Sequence, residues 1–351
     1  MFQVQATCPT RIDLVGGTLD LWPLYHQLPE KATINLGIDL NATAIVSSEK
    51  SETYSLESSD QEVSLSGSFE EITNSQKLPL LSLFLKSLWH KDLPALSIKI
   101  SAKSPKGAGL GGSSALSIAL CSALLKAKGL CHESKGYTEE DLAAICGDLE
   151  STLIKSPTGC QDYWGAIRGG LNMITYPYGK PHIETLPLKQ AKELCESLVL
   201  VYSGQSRDSA INNWLVYQNF FSGEENTVKH LTEIGRVSAQ CLEKIKSKDT
   251  DSLFDLCQEE WRLRKKLWPG VVTERTEFID KIACKNGALF TRVCGAGGGG
   301  VMTLFTTPEK KSKLIKKLKS NQIEVLEAKA TDEGLKVSIT IKEGQSKIPL
   351  D

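Results

Sequence analysis

The stretch PKGAGLGGSSALSIAL, residues 105–120, sets Gly107, Gly109, Gly111 and Gly112 and the pair Ser113–Ser114 at the mouth of an apolar run. Just before it, LSIKISA (96–102) alternates apolar and polar residues and predicts a strand. Just after it, the apolar run predicts a helix over 113–128, ending at Gly129. A glycine loop between strand and helix presents unpaired N–H groups at the positive end of the helix dipole, and these bind anions. Glycine also lets backbone donors approach phosphate oxygens with no Cβ in the way. The stretch therefore reads as a polyphosphate site. Ser113 and Ser114 have two open roles: capping the helix, or offering a hydroxyl to Mg2+.

Two phosphate-loop patterns compete for it. The Walker pattern fails, because no lysine precedes the serine pair. The dinucleotide pattern G-x-G-x-x-G fits Gly107, Gly109 and Gly112, but it fits Gly295, Gly297 and Gly300 equally well. A dinucleotide domain also needs a second strand after the helix. LCHESKGYTEED (130–141) supplies none.

Working outward, residues 2–7, 33–48 and 53–65 alternate and predict strands. TEEDLAAICGDLESTL (138–153) starts acidic, carries an apolar repeat and predicts a second helix. RGGLNMITYP (168–177) and CESLVLVY (195–202) predict strands, and YGKPHIETLP (178–187) between them reads as a domain boundary. That places an N-terminal lobe at 1–180 and a C-terminal lobe at 181–351. In the second lobe, helices are predicted near 207–222, 226–247, 249–268 and 275–286. A strand at 288–293, the second glycine loop and strand in CGAGGGGVMTLF (294–305), a basic helix at 308–322 and a last edge strand follow.

The bulk numbers narrow the class. With 41 basic and 42 acidic residues the net charge is −1, which argues against a nucleic-acid surface. The ten cysteines form no C-x-x-C pair, which argues against zinc and for reduced core thiols of a cytoplasmic protein. The N-terminus lacks a signal-peptide pattern. The apolar stretch near 115–125 reads as too short for a bilayer, so no membrane partner is expected.

PKGAGLGGSSA resembles the signature P-x-x-x-G-L-G-(S/G)-S-S-A of the GHMP small-molecule kinases, which include galactokinase, homoserine kinase and mevalonate kinase. CPTRIDLVGGTLDLWPLY (8–25) is similar to that family's first motif, in the form found in its sugar-kinase branch of heptose 7-phosphate kinase and L-fucokinase. VCGAGGGGVMTLF (293–305) is similar to its third.

The resemblance implies an α+β fold of two lobes. One has a ribosomal-protein domain-2-like arrangement with a left-handed βαβ unit, the other a ferredoxin-like arrangement. It implies ATP and Mg2+ in the cleft between them, with the small-molecule substrate a sugar or sugar phosphate and its anomeric hydroxyl the favoured acceptor. It implies ATP-phosphate binding by Pro105, Gly107, Ala108, Gly109, Leu110, Gly111, Gly112, Ser113 and Ser114. Ser113 (or Ser114) and Glu150 are implied as Mg2+ ligands, and Asp162 as catalytic base with Arg11 beside it. Gly17, Asp20, Arg207, with Ser209 near it, and Gly297 and Gly298 fall on the substrate side.

Several departures matter. Gly16–Leu21 (GGTLDL) stands where galactokinase has G-E-H-x-D-Y. Arg11 replaces the lysine of mevalonate kinase, and Asp162 is a base that homoserine kinase lacks. A mevalonate-type kinase and a non-catalytic sugar sensor are the alternatives, and the chain is expected to be a monomer or homodimer.

Overall fold

β1 (Phe2–Val15) changes character halfway along. Val4, Ala6 and Cys8 are buried in alternation with partly exposed neighbours, whereas Pro9–Val15 are buried without a break. Alternating burial belongs to a strand with one covered face, and continuous burial to one covered on both. β2 (Ala32–Ser48) shows the mirror pattern, continuous over 32–38 and alternating beyond. The two strands pair antiparallel along their whole length, with a register shift at Pro9, whose missing N–H suits a bulge. One long hairpin therefore lines two separate cores. Val4, Ala6 and Cys8 enter the first, and Ile12, Leu14 and Val15 the second.

The computed structural model describes residues 1–48, 52–132, 136–205 and 210–341. The remaining strands are β3 (Tyr54–Ser58), β4 (Val63–Gly67), β5 (Leu96–Ala102), β6 (Leu171–Thr175), β7 (His182–Leu186), β8 (Leu198–Tyr202), β9 (Ala288–Val293), β10 (Val301–Thr306), β11 (Glu324–Leu326) and β12 (Lys336–Ile341). The helices are α1 (Leu24–Gln27), α2 (Phe69–Thr73), α3 (Pro79–Leu88), α4 (Gly112–Cys131), α5 (Glu139–Ile154), α6 (Gln161–Arg168), α7 (Lys192–Ser197), α8 (Ala210–Phe221), α9 (Glu225–Ser247), α10 (Thr250–Leu267), α11 (Glu274–Lys285) and α12 (Pro308–Ser320).

The first sheet runs β12-β1-β2-β5-β3-β4, with β6 and β7 added beyond the other half of β2. The second is antiparallel, in the order β11-β8-β10-β9. The fold is thus mixed α+β with two sheets. α4 packs on β1 and β2 and is apolar almost all round, the pattern of a buried core helix.

Several expectations change. The segment 53–65 is two strands rather than one, turning at Glu62 with φ +54°. In CESLVLVY only the apolar part is strand; Cys195–Ser197 close α7. The stretch 178–187 does not leave the first sheet, because His182–Leu186 pair with β6, and the chain returns there once more as β12 on β1. α4 runs past Gly129 to Cys131. At 20 residues it is long and apolar enough to cross a membrane by length and composition, yet 67% of its most apolar 18-residue window is buried inside the fold.

A buried charge cluster joins the two sheets. Arg292 of β9 reaches Asp13 of β1 at 2.6 Å and Glu260 of α10 at 3.3 Å, and all three are solvent-free. Glu260 also receives Arg264 Nε at 3.0 Å, and Asp13 receives the Gly295 N–H at 2.9 Å. Burial would raise the Asp13 pKa. Arg292, Arg11 and the Gly295 N–H outweigh it and hold that pKa below the usual 3.8. The depressed pKa means that Asp13 contributes its full linked stability above about pH 4 and loses it as pH falls from there. Arg292→Met leaves Asp13 with Arg11 alone, 3.9 Å away, and Glu260 with Arg264 alone, so it should cost about 3–5 kcal/mol in urea denaturation at pH 7. That deficit should shrink below about pH 4, where wild type loses the same contribution.

Candidate active site

The glycine loop leaves β5 and enters α4 through Gly111, which takes the left-handed conformation at φ +72° and caps the helix with no side-chain bond. The capping role for the serines is therefore not the one seen. Ser113 Oγ instead donates to Glu150 Oε1 of α5 at 2.8 Å, across the helix entrance. Glu150 is buried, and that burial pushes its carboxyl above the usual range despite the hydroxyls around it. A hard oxygen pair at the positive end of a helix, with a carboxylate that a cation would relieve, suits Mg2+.

Asp162 lies in the first turn of α6, facing the loop. Arg11 Nε donates to Asp162 Oδ1 at 2.7 Å, and its Nη2 meets the same oxygen. Arg11 Nη1 donates to Gly109 O at 2.8 Å, and the Arg11 N–H to Leu110 O at 3.0 Å. One arginine thus ties the loop to the carboxylate. A Cβ on Gly111 would stand 3.1 Å from Asp162 Cγ, so the backbone passes the carboxylate as closely as glycine permits.

Asp20 ends the turn that follows β1. Its Oδ2 accepts from the Gln161 N–H at 3.0 Å, one residue before Asp162. Burial pushes its pKa up to about 6; the Gln161 N–H opposes this and the Asp162 charge adds to it. Asp20, Asp162, Arg11, Gly17, Glu150 and residues 104–114 line one cleft of about 510 Å3.

Pro105, Gly107, Ala108, Gly109, Leu110, Gly111, Gly112, Ser113 and Ser114 all line it. Gly297 and Gly298 do not. Gly297 packs on Val271, and Gly298 donates to Val271 O at 2.7 Å; Gly295 and Ala296 face the cleft instead. Arg207 and Ser209 lie outside the described residues. Sequence reasoning missed Glu260 and Arg264, because a charge pair four apart on a helix normally reads as solvated surface, and it missed Arg292, a lone arginine within strand β9. It also missed Thr18 and Asn213, which line the cleft and share a hydrogen bond. The positive φ of Thr18, +69°, is invisible in sequence.

The second glycine loop acts through the first. Val301 N–H donates to Ala108 O at 2.8 Å, and a Cβ on Gly300 would stand 2.6 Å from that same oxygen. Gly300 also has φ +82°. Gly300→Ala should therefore displace the phosphate loop. The left-handed backbone alone costs roughly 1–2 kcal/mol. The expected result is a lower melting temperature and at least about tenfold weaker nucleotide binding by calorimetry, taking 1.4 kcal/mol per decade.

Residues 80–170, which hold the glycine loop, Glu150 and Asp162, match the family "GHMP kinases N terminal domain". The D-glycero-alpha-D-manno-heptose 7-phosphate kinase of Campylobacter jejuni is 26% identical over 345 residues, covering 96% of this chain and 99% of that protein. The bifunctional fucokinase/GDP-fucose pyrophosphorylase of Arabidopsis thaliana is 26% identical over 87% of this chain, which spans 30% of that longer protein. The solved D-glycero-D-manno-heptose 1-phosphate kinase from Bacteriodes thetaiotaomicron superposes with a TM-score of 0.75 at 16% identity, covering 97% of this chain and 100% of that one, and shares the fold. Residues 80–170 thus match the GHMP kinase N-terminal domain, and over nearly its whole length the chain is similar to a heptose 7-phosphate kinase.

Proposed function

We propose that the protein transfers the γ-phosphoryl group of ATP to a hydroxyl, favoured as the anomeric one, of a sugar or sugar phosphate. The observation that carries this is the juxtaposition in one cleft of an arginine-held carboxylate, Asp162, with the N–H-rich glycine loop. Both Arg11 contacts fall on Asp162 Oδ1, which leaves Oδ2 to accept the proton of an acceptor hydroxyl. Arg11 supplies positive charge beside the transfer and fixes Asp162 against the loop. The N–H groups of the loop glycines Gly107, Gly109, Gly111 and Gly112 and the α4 dipole hold the polyphosphate. Ser113 and Glu150 would hold Mg2+, which supplies charge neutralisation on the β- and γ-phosphates. Asp20, beside Gln161 in the same cleft, accepts hydrogen bonds from sugar hydroxyls when ionised.

The second sheet reads as a ferredoxin-like unit. In support, its four strands, taken in chain order, lie 4-1-3-2, with helices between the first and second and between the third and fourth. A reducing, cytoplasmic setting is supported by ten free cysteines.

The decisive assay is ADP release with Mg-ATP over L-fucose, D-galactose, heptose 7-phosphate, mevalonate and homoserine. Turnover on a sugar, with kcat lowered about 10²–10⁴-fold in Asp162→Asn at unchanged ATP affinity, is expected. Turnover on mevalonate or homoserine alone would overturn the sugar reading. The sugar KM should rise as pH drops below about 6, where Asp20 takes up a proton. Asp20→Asn should raise KM at pH 7.5 and abolish that dependence. Because folding raises the Asp20 pKa, its ionisation costs stability as pH rises through about 6. Asp20→Asn should therefore melt higher relative to wild type at pH 8 than at pH 5.

A further inference from the structure

We propose that Asn213 is a specificity residue whose side-chain amide donates to a substrate hydroxyl, with Arg264 and Thr18 as the positioning residues that aim it. The proposal deepens the sugar-kinase reading and rests on it.

The argument follows the protons. Glu260 is solvent-free and fixes the Arg264 guanidinium through Nε at 3.0 Å. From there Arg264 Nη2 donates to Gly17 O at 2.7 Å, and Nη1 to Thr18 Oγ1 at 3.3 Å. A guanidinium only donates, so the Thr18 oxygen is committed as an acceptor there. Its single proton goes to Asn213 Oδ1, at 3.3 Å. The amide oxygen of Asn213 is thereby engaged, and its NH2 is the group left for the cleft, which Asn213 lines together with Gly17, Thr18 and Asp20.

Thr18 supplies a second, independent sign. It holds φ +69°, a conformation that a β-branched residue adopts only under constraint and that glycine would take freely. A threonine kept there points to a use for its hydroxyl.

The site then has two opposed demands. Asp20, ionised above about pH 6, only accepts, and the Asn213 amide donates. A hydroxyl can do either, so two neighbouring hydroxyls satisfy both. A carboxylate presented by the substrate would face Asp20 with like charge. The substrate class is therefore a polyol with at least two hydroxyls besides the one phosphorylated.

The test uses the full-length enzyme and the sugar that the panel identifies. Sugar and ATP KM are measured for wild type, Asn213→Ala, Thr18→Val and Thr18→Ser, and single-deoxy versions of the sugar are added. Asn213→Ala is expected to raise the sugar KM about three- to tenfold, the range for one hydrogen bond, and to leave the ATP KM within about twofold. Thr18→Val should match it and Thr18→Ser should retain wild-type values. One deoxysugar should be penalised in wild type and not in Asn213→Ala. An unchanged sugar KM in Asn213→Ala, or the same deoxy penalty in variant and wild type at every position, overturns the proposal while leaving the kinase reading intact. Failure of wild type to phosphorylate any sugar overturns both.

Discussion

The bridge between Asp13 and Arg292 is the contact on which the site's geometry depends. It is the place where the first sheet, through β1, is fastened to the second, through β9. Buried ion pairs seldom add much net stability, because desolvation consumes most of the attraction. Direction is what this one contributes. Asp13 turns one oxygen to Arg292 and the other to the Gly295 N–H, so the second glycine loop starts from a fixed point. Glu260 is shared between Arg292 and Arg264, and Arg264 sets the turn that carries Gly17 and Thr18. Loop, turn and cleft wall are thus indexed to one buried cluster.

The same economy governs the phosphate loop. Its groups are mostly backbone, and a backbone is positioned only by what bonds its carbonyls. Arg11 takes Gly109 O and Leu110 O, and Val301 takes Ala108 O. With these carbonyls engaged, and the Ala108 N–H donating to Pro105 O at 3.1 Å, the glycine N–H groups of the loop are the donors left to turn toward an anion. Gly300 of the second loop is there because the first loop's backbone leaves no room for a Cβ.

Much of this was legible in the sequence where the signal was local. Glycine spacing, the serine pair and the alternating β5 marked the first glycine loop, and the resemblance singled out Glu150 and Asp162, which line the same cleft. What stayed hidden was long-range. Glu260 and Arg264 stand four apart amid other charges in QEEWRLRKKL, a pattern shared with ordinary solvated helices; only the packing of α10 against β9 and β1 shows them buried. The substrate-side role expected of Gly297 and Gly298 rested on motif alone, whereas their surroundings place them on Val271. The boundary at 178–187 misled for a related reason. Turn residues there mark a hairpin, and β7 stays with the first sheet.

The return of β12 to β1 has a consequence for how the molecule comes into being. Phe2 pairs with Ile341 and Thr7 with Lys336. On the ribosome β1 emerges well before β12, and its outer edge stays open until more than three hundred further residues have followed it. Contacts of such sequence separation are slow to form, because loop closure precedes their reward. Meanwhile an unpaired strand edge is a template for pairing with other chains. Gln3, Gln5 and Thr7, set between the apolar residues of that edge, keep one of its faces polar through the interval in which nothing covers it.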